Sequence, residues 1–482
     1  MILNPVMFKD QEFIALFIKI AVPIALQNLF VSSLGIIDTL MVGQVSQTAI
    51  AAVGLANQVF FLLNFTLFGI NSGAAIFTAQ YWGARDVAGI RKVMGMCLLL
   101  GFSACAFFSM FALGFPTQAL SFYSADPAVV ELGSGYLRIV GFSYAATTLT
   151  LCLTTILRST GTIRLPVFVA IATLCLNTGL NYLLIYGNYG FPKLGVQGAA
   201  IATSIARILE CAVLLVYIYF PRGRLAATAM PGFISQPHTD VLVPAREPRM
   251  PAAASPRELL AFDRRFLGIY FRITAPVILN EVLWSLGTSL YLAIYAHVGT
   301  VAVAAYSVAI TILNLSAVIF VGISSACGVL VGNAIGAGQL DKAYLYARRC
   351  LAIGGGLAVV VGTILFFGRD LALSVYSLTP SGTQAASDVL AVLSIAVIYR
   401  AFNPTIIVGI LRSGGDVRFS GVLDVSAVWL VALPLAYLGA FVFHLPIQWV
   451  VLCVLSEGLF KMVIGLFRVA SRKWINNLIR TD

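Results

Sequence analysis

The sequence predicts an all-α integral membrane protein of twelve transmembrane helices, arranged as two parallel six-helix repeats. Three observations carry that prediction. Of 482 residues, 60% are hydrophobic and only 10% charged, with a mean hydropathy of +0.95. An ordinary soluble domain carries about 25% charged residues. Apolar runs long enough to span a bilayer follow one another without the strict alternation of a barrel strand. The second half of the chain repeats the first at a fixed offset.

The first six spans are expected at about residues 14–43, 50–80, 90–115, 131–158, 165–187 and 196–220, the second six at about 272–297, 302–334, 345–368, 388–412, 419–440 and 446–468. Residues 1–220 then form an N-lobe and residues 266–482 a C-lobe. The segment 221–265 between them is proline- and arginine-rich and reads as a cytoplasmic linker ending in a short amphipathic helix.

Lys and Arg fix the expected orientation. Arg85, Arg91 and Lys92, Arg158 and Arg164, Lys342, Arg348 and Arg349, Arg412 and Arg418, and the tail from Arg468 onward fall in one set of connections. The opposite set holds little beyond Lys193 and Arg369. Both termini are therefore expected on the cytoplasmic side of a cell inner (plasma) membrane. The same distribution explains the net charge of +11 without nucleic acid as a partner. Lys9-Asp10-Gln11-Glu12 ahead of the first apolar run does not read as a cleavable signal.

The repeat is read by shifting the chain. At 253 residues, Pro23 meets Pro276, Gly69-Ile70 meets Gly322-Ile323 and Gly83 meets Gly336; at 254, Ile156-Leu157-Arg158-Ser159 meets Ile410-Leu411-Arg412-Ser413. Six spans per repeat start both halves from the same side of the membrane, so the repeats are parallel.

Asp38 is the residue around which a function is read. It lies in Leu34-Gly35-Ile36-Ile37-Asp38-Thr39-Leu40-Met41-Val42-Gly43, inside the first apolar run. An acid at mid-membrane depth costs at least about 2.5–3.5 kcal/mol, so it needs water, a bound cation or a proton. Counted from Lys19, Asp38 lies about 28 Å along the helix, in the outer part of the bilayer. It is the candidate for coupling ion movement to transport; the bland alternative is an acid satisfied by buried hydrogen bonds. Asn177 and Asn181 share a face of span five at i and i+4, and Thr203 lies on span six. Their hard oxygens suit a monovalent cation such as Na+, and ordinary interhelical amide bonding is the competing account.

Glu281 is the second intramembrane acid singled out. Its repeat partner is Asn28. Glu281 with Asn280, and Gln27 with Asn28, form the candidate substrate-binding set, in which Glu281 attracts a cationic substrate. Arg207 with Glu210, and Glu457 with Lys461, have the spacing of simple pairs, and Asp424 reads as interfacial.

Other chemistry is unsupported. The eight cysteines fall in or beside apolar runs and form no CxxC pair, and the three histidines form no cluster. No phosphate-binding GxxxxGK[ST] loop appears, and no Ser/His/Asp set. A cofactor is not expected, nor is enzymatic activity.

With these residues assembled, the chain resembles the multidrug and toxic compound extrusion (MATE) family of bacterial type. The resemblance rests on Pro23 with Leu34 through Gly43, on Ala79-Gln80-Tyr81-Trp82-Gly83, and on Leu157-Arg158-Ser159-Thr160-Gly161 with its repeat at Leu411-Arg412-Ser413-Gly414-Gly415-Asp416. Asn177 through Gly187, Gly195 through Thr203 and Trp429 through Pro434 extend it. It implies two six-helix lobes around a central cleft, and export of amphipathic, often cationic small molecules by antiport against H+ or Na+. It implies N-lobe ion-site positions at Asp38, Asn177, Asn181 and Thr203. Some members carry a second carboxylate where Asn181 stands, and some an acid where Arg400 stands. A monomer in the lipid bilayer is the expected state. A related carrier or flippase for one lipid-linked or metabolic substrate is the alternative.

Overall fold

The computed structural model describes residues 11–124, 126–219, 252–374 and 380–479. Most of the linker expected at 221–265 lies outside the described residues. Among the described residues, eleven helices are long and apolar enough to cross a bilayer, and the bent pair Pro127–Gly141 and Tyr144–Ser159 makes a twelfth crossing. Spans one to three are Gln11–Gly43, Gln47–Gly83 and Val87–Ser109; span four is the bent pair; spans five and six are Arg164–Tyr186 and Val196–Tyr219. Spans seven to nine are Arg264–Val298, Thr300–Gly336 and Leu340–Leu373. Span ten runs through Pro380–Arg400, Phe402–Pro404 and Thr405–Arg412; span eleven starts with Val417–Ser426; span twelve is Ile447–Ala470.

Lipid rather than water explains the outer surface. Large apolar side chains such as Phe467 and Leu430, each 74% exposed, point outward along the spans. A helix satisfies its own backbone, which is the condition for crossing hydrocarbon. The stops between spans are local chemistry. Ser46 and Asp86 side chains accept from Ala49 N–H (2.9 Å) and Gly89 N–H (2.8 Å) and cap spans two and three.

The repeat extends to backbone geometry. Span four ends with Thr162 N–H on Leu157 O (2.8 Å) and Gly161 at φ +83°; span ten ends with Asp416 N–H on Leu411 O (2.9 Å) and Gly415 at φ +83°. Both are Schellman turns, and the left-handed residue in each is glycine because no Cβ is tolerated cheaply there. Spans two and eight close in the same way, with Asp86 N–H on Tyr81 O (2.9 Å) and Gln339 N–H on Ala334 O (2.8 Å).

Four stretches widen into π turns: Met110–Gly114, Thr405–Arg412, Ala427–Ala432 and Leu438–Val442. Two of them hold the carbonyl four residues before a proline, Ala112 O before Pro116 and Leu430 O before Pro434. Proline removes one backbone donor and crowds the carbonyl four residues back, which loosens the regular ladder.

The chain divides into two compact units. The N-unit is Phe30–Leu267; the C-unit joins the residues up to Leu29 to Gly268 onward. The units are therefore not the two halves of the sequence, because span one is shared between them. Its early part packs on spans eight and nine. The Phe13 ring lies 5.0 Å from that of Tyr346, and a Cβ on Gly322 would come within 2.6 Å of Ala21 O. Residues 252–260 belong to the N-unit instead of leading smoothly into span seven. Ser255 and Glu258 form a capping box on the single turn Pro256–Leu259. Arg91 pairs with Glu258 at 2.8 Å, and the Leu259 carbonyl rests against Gly95, where any side chain would collide.

Candidate functional site

In the N-unit, Asp38, Asn177, Asn181 and Thr203 come together. Spans one, five and six supply them. Asn181 Nδ2 donates to Asp38 Oδ1 at 2.7 Å. The Asn177 amide satisfies its surroundings with its nitrogen turned to Asp38. It then donates to Oδ2 (3.1 Å) and Oδ1 (3.2 Å), while its oxygen accepts from Thr203 N–H at 3.2 Å. The i, i+4 spacing puts both amides on one helix face, where each reaches the same carboxylate. Asn177 and Asn181 are buried, at 5% and 1% exposure, whereas Asp38 is half-buried.

Asp38 has no ion pair among the described residues. The basic side chain nearest in sequence to Thr203, Arg207, is committed to Glu210 at 2.9 Å, as its spacing predicts. The carboxylate is thus hydrogen-bonded by amides, and Arg207 acts on it only through space. The buried Asn181 Oδ1 has no hydrogen-bond partner. A carboxylate, two amide oxygens and the Thr203 hydroxyl are hard oxygen donors of the kind that accept a proton or a small monovalent cation. Tyr136 of span four, which sequence reasoning did not single out, lies close to Thr203. Tyr186 donates to Met41 O (2.9 Å) and Gln44 Oε1 (2.8 Å), fixing the end of span one to span five.

The C-unit holds its acids differently. Glu281 accepts a salt bridge from Arg412 at 2.7 Å, with side chains 9% and 3% exposed. It therefore carries no unpartnered charge for a cationic substrate. Asp424 is not interfacial but buried, with Lys461 Nζ at 2.7 Å and Asn280 Nδ2 at 3.0 Å. Glu457 takes the Tyr291 hydroxyl at 2.8 Å and lies 3.6 Å from Lys461. Asn280, expected with substrate, is thus committed to this network. Asn28 donates to Ile24 O of its own helix at 2.8 Å, and Gln27 is half-buried on the same helix. None of the contacts described here joins Gln27 or Asn28 to Glu281 or Asn280. Apart from Glu457 with Lys461, nothing local in the sequence announces these pairs, whose partners stand far apart along the chain.

Among the described residues no group of three His, Cys, Asp or Glu side chains gathers as a metal site, and the eight cysteines are free.

Twelve crossings, a backbone-level repeat and one intramembrane acid held only by amides define a two-repeat transporter-type membrane protein. A family model described as MatE matches residues 23–183 and 276–438, one match in each half. The chain belongs to the MATE family of multidrug efflux transporters. Among its relatives, the "Probable multidrug resistance protein YoeA" of Bacillus subtilis is 26% identical over 86% of this chain and 84% of its own. The "Probable multidrug resistance protein NorM" of Thermotoga maritima is 24% identical over 96% and 94%. The crystal structure of a mutant of the Vibrio cholerae MATE transporter VcmN superposes with a TM-score of 0.83 at 16% identity, covering 97% of this chain and 98% of that one. At that identity the likeness concerns the fold, including its twelve-helix architecture.

Proposed function

We propose that this chain is a secondary antiporter of the plasma membrane that exports amphipathic, often cationic small molecules in exchange for H+ or Na+, with Asp38 as the coupling carboxylate. The observation that carries this reading is the state of Asp38: an acid in an apolar span, bonded to two amides and to no basic side chain. Neutralising such a group with a proton or a sodium ion removes the cost of its charge and lets the surrounding helices repack, which a bare anion resists. A tethered ammonium or guanidinium would do the same permanently and leave nothing to exchange.

The amides make the site responsive. Their nitrogens face the anion. Once a cation sits on Asp38, rotation of the Asn177 and Asn181 side chains turns their oxygens inward instead. Asn181 Oδ1, without a partner in the anionic form, gains one in the loaded form. A membrane potential of 100 mV contributes about 2.3 kcal/mol per charge moved, roughly fiftyfold accumulation before any chemical gradient.

The test is ethidium transport in proteoliposomes under imposed gradients. Accumulation driven by a proton or a sodium gradient, and abolished when both are collapsed, is the expected result. Ethidium movement indifferent to both gradients would overturn the reading.

A further inference from the structure

The N-unit holds a polar pocket that the coupling site does not use. It lies between the first half of span four, Pro127–Gly141, and the short helix Pro116–Ser121 that follows span three. Close packing joins the two: a Cβ on Gly133 would lie 2.9 Å from Leu120 Cδ1. The pocket has a volume of about 590 Å³, and Thr117, Ser121, Ser124, Glu131, Ser134 and Arg138 give it its polar lining. Glu131, Ser134 and Arg138 are spaced by three and four residues and share one face of span four.

That face is directed at lipid. Phe142, one turn beyond Arg138, is 72% exposed, and Leu113, against which Gly141 packs, is exposed too. Arg138 and Arg158, at the other end of the span, are separated by about 30 Å of helix, roughly the thickness of the hydrocarbon layer. The guanidinium therefore stands at the edge of the hydrocarbon, with Glu131 about 10 Å further along the axis, in the headgroup layer. Both side chains are exposed, and neither has an ion-pair partner among the described residues. Ser134 is 7% exposed, and its hydroxyl lacks a hydrogen-bond partner. An unpaired arginine on a lipid-directed face requires an anion, and at that depth a bilayer supplies phosphate. The carboxylate two turns further out calls for a cation.

We infer that this pocket binds the headgroup of one zwitterionic phospholipid whose cation is a primary ammonium, phosphatidylethanolamine. Arg138 takes the phosphate with its forked donors, the Ser134 hydroxyl adds another, and Glu131 accepts from the ammonium. The base lies deep and the acid shallow, which matches the order of phosphate and ammonium in the lipid. Phosphatidylcholine has no N–H to offer Glu131, and phosphatidylglycerol has no cation at all. The inference is independent of the export reading.

The experiment is lipid competition on the full chain purified in detergent. Phosphatidylethanolamine, phosphatidylcholine and phosphatidylglycerol of matched acyl chains are added singly and in equal pairs. Native mass spectrometry counts the first lipid retained by wild type, Arg138→Gln and Glu131→Gln, and melting without lipid reports folding. Wild type is expected to prefer phosphatidylethanolamine about tenfold over either competitor, the size of one charge-assisted hydrogen bond. Arg138→Gln lowers its retention about tenfold. Glu131→Gln brings the ethanolamine and choline lipids to parity and raises phosphatidylglycerol above both, a gain that misfolding does not produce. Equal retention of the three lipids by wild type overturns the inference. So does a wild-type preference for phosphatidylglycerol, which would make the pocket a plain anion site. An ethanolamine preference that survives Glu131→Gln, or retention unchanged in folded Arg138→Gln, overturns it as well.

Discussion

The two halves place an acid and a hydroxyl at the same pair of repeat positions and use them in opposite ways. In the N-unit the acid is Asp38 on span one and the hydroxyl Thr203 on span six. At offsets of 253 and 254 residues these positions become Tyr291 on span seven and Glu457 on span twelve, so acid and hydroxyl have changed places. The base one turn on is Arg207 in one half and Lys461 in the other. Arg207 is diverted to Glu210 at 2.9 Å, whereas Lys461 bonds Asp424 at 2.7 Å and lies 3.6 Å from Glu457. One half therefore leaves its acid to neutral amides, and the other carries its counter-cation on the chain. What separates the two acids is less their burial than what their neighbouring bases are already doing.

The comparison can be broken most forcefully from the C-unit. Arg412→Gln strands a buried Glu281, and removing one partner of a buried pair costs about 3–5 kcal/mol. A steep fall in melting temperature in detergent is expected, and an unchanged melt would mean the pair carries no stability. Lys461→Gln exposes Asp424 and Glu457 to each other without their ammonium. It should also be strongly destabilising, and a free cation should partly replace the lost one. Its melting temperature should rise with added sodium chloride relative to choline chloride, while wild type responds less.

Within the N-unit, Asn181→Ala removes a 2.7 Å bond to the carboxylate. A bond to a charged group is worth about 1.5–3 kcal/mol, so gradient-driven ethidium export should fall roughly tenfold or more. Asn188→Ala, which removes only an exposed bond to Tyr182 O at 3.2 Å, should leave export near wild type. The smallest effect sharpens the repeat itself. Gly161→Ala meets no atom within 4 Å and pays only for φ +83°, about 1–2 kcal/mol. Gly415→Ala, at the same φ but 3.1 Å from Asn476 O and the Leu478 side chain, should cost more. Equal melting shifts for the two would mean the local crowding is relieved without cost.

Much of this was legible because a bilayer imposes long, one-dimensional signals. The twelve apolar runs coincide with the twelve crossings, although the helices run several residues past the apolar cores. Asn177, Asn181 and Thr203 were legible as candidates because helical spacing and motif order point at one face. What escaped was pairing across the fold. Arg412 reads as one more cytoplasmic-edge base, yet it answers Glu281 at 2.7 Å. Asp424 reads as interfacial, yet Lys461 and Asn280 bury it. Charge near a span end has two readings, and only three-dimensional neighbours separate them. The sharing of span one between units escaped for a related reason: it follows from packing against distant helices, as at Gly322 against Ala21, and not from local pattern.

The account stands on Asp38 as the exchangeable acid and Glu457 as its fixed counterpart. Ethidium-driven proton and sodium flux through proteoliposomes measures that difference directly, in wild type, Asp38→Asn and Glu457→Gln. The account predicts ion flux in wild type, none in Asp38→Asn, and retained flux in folded Glu457→Gln. Undiminished ion flux in Asp38→Asn would contradict it.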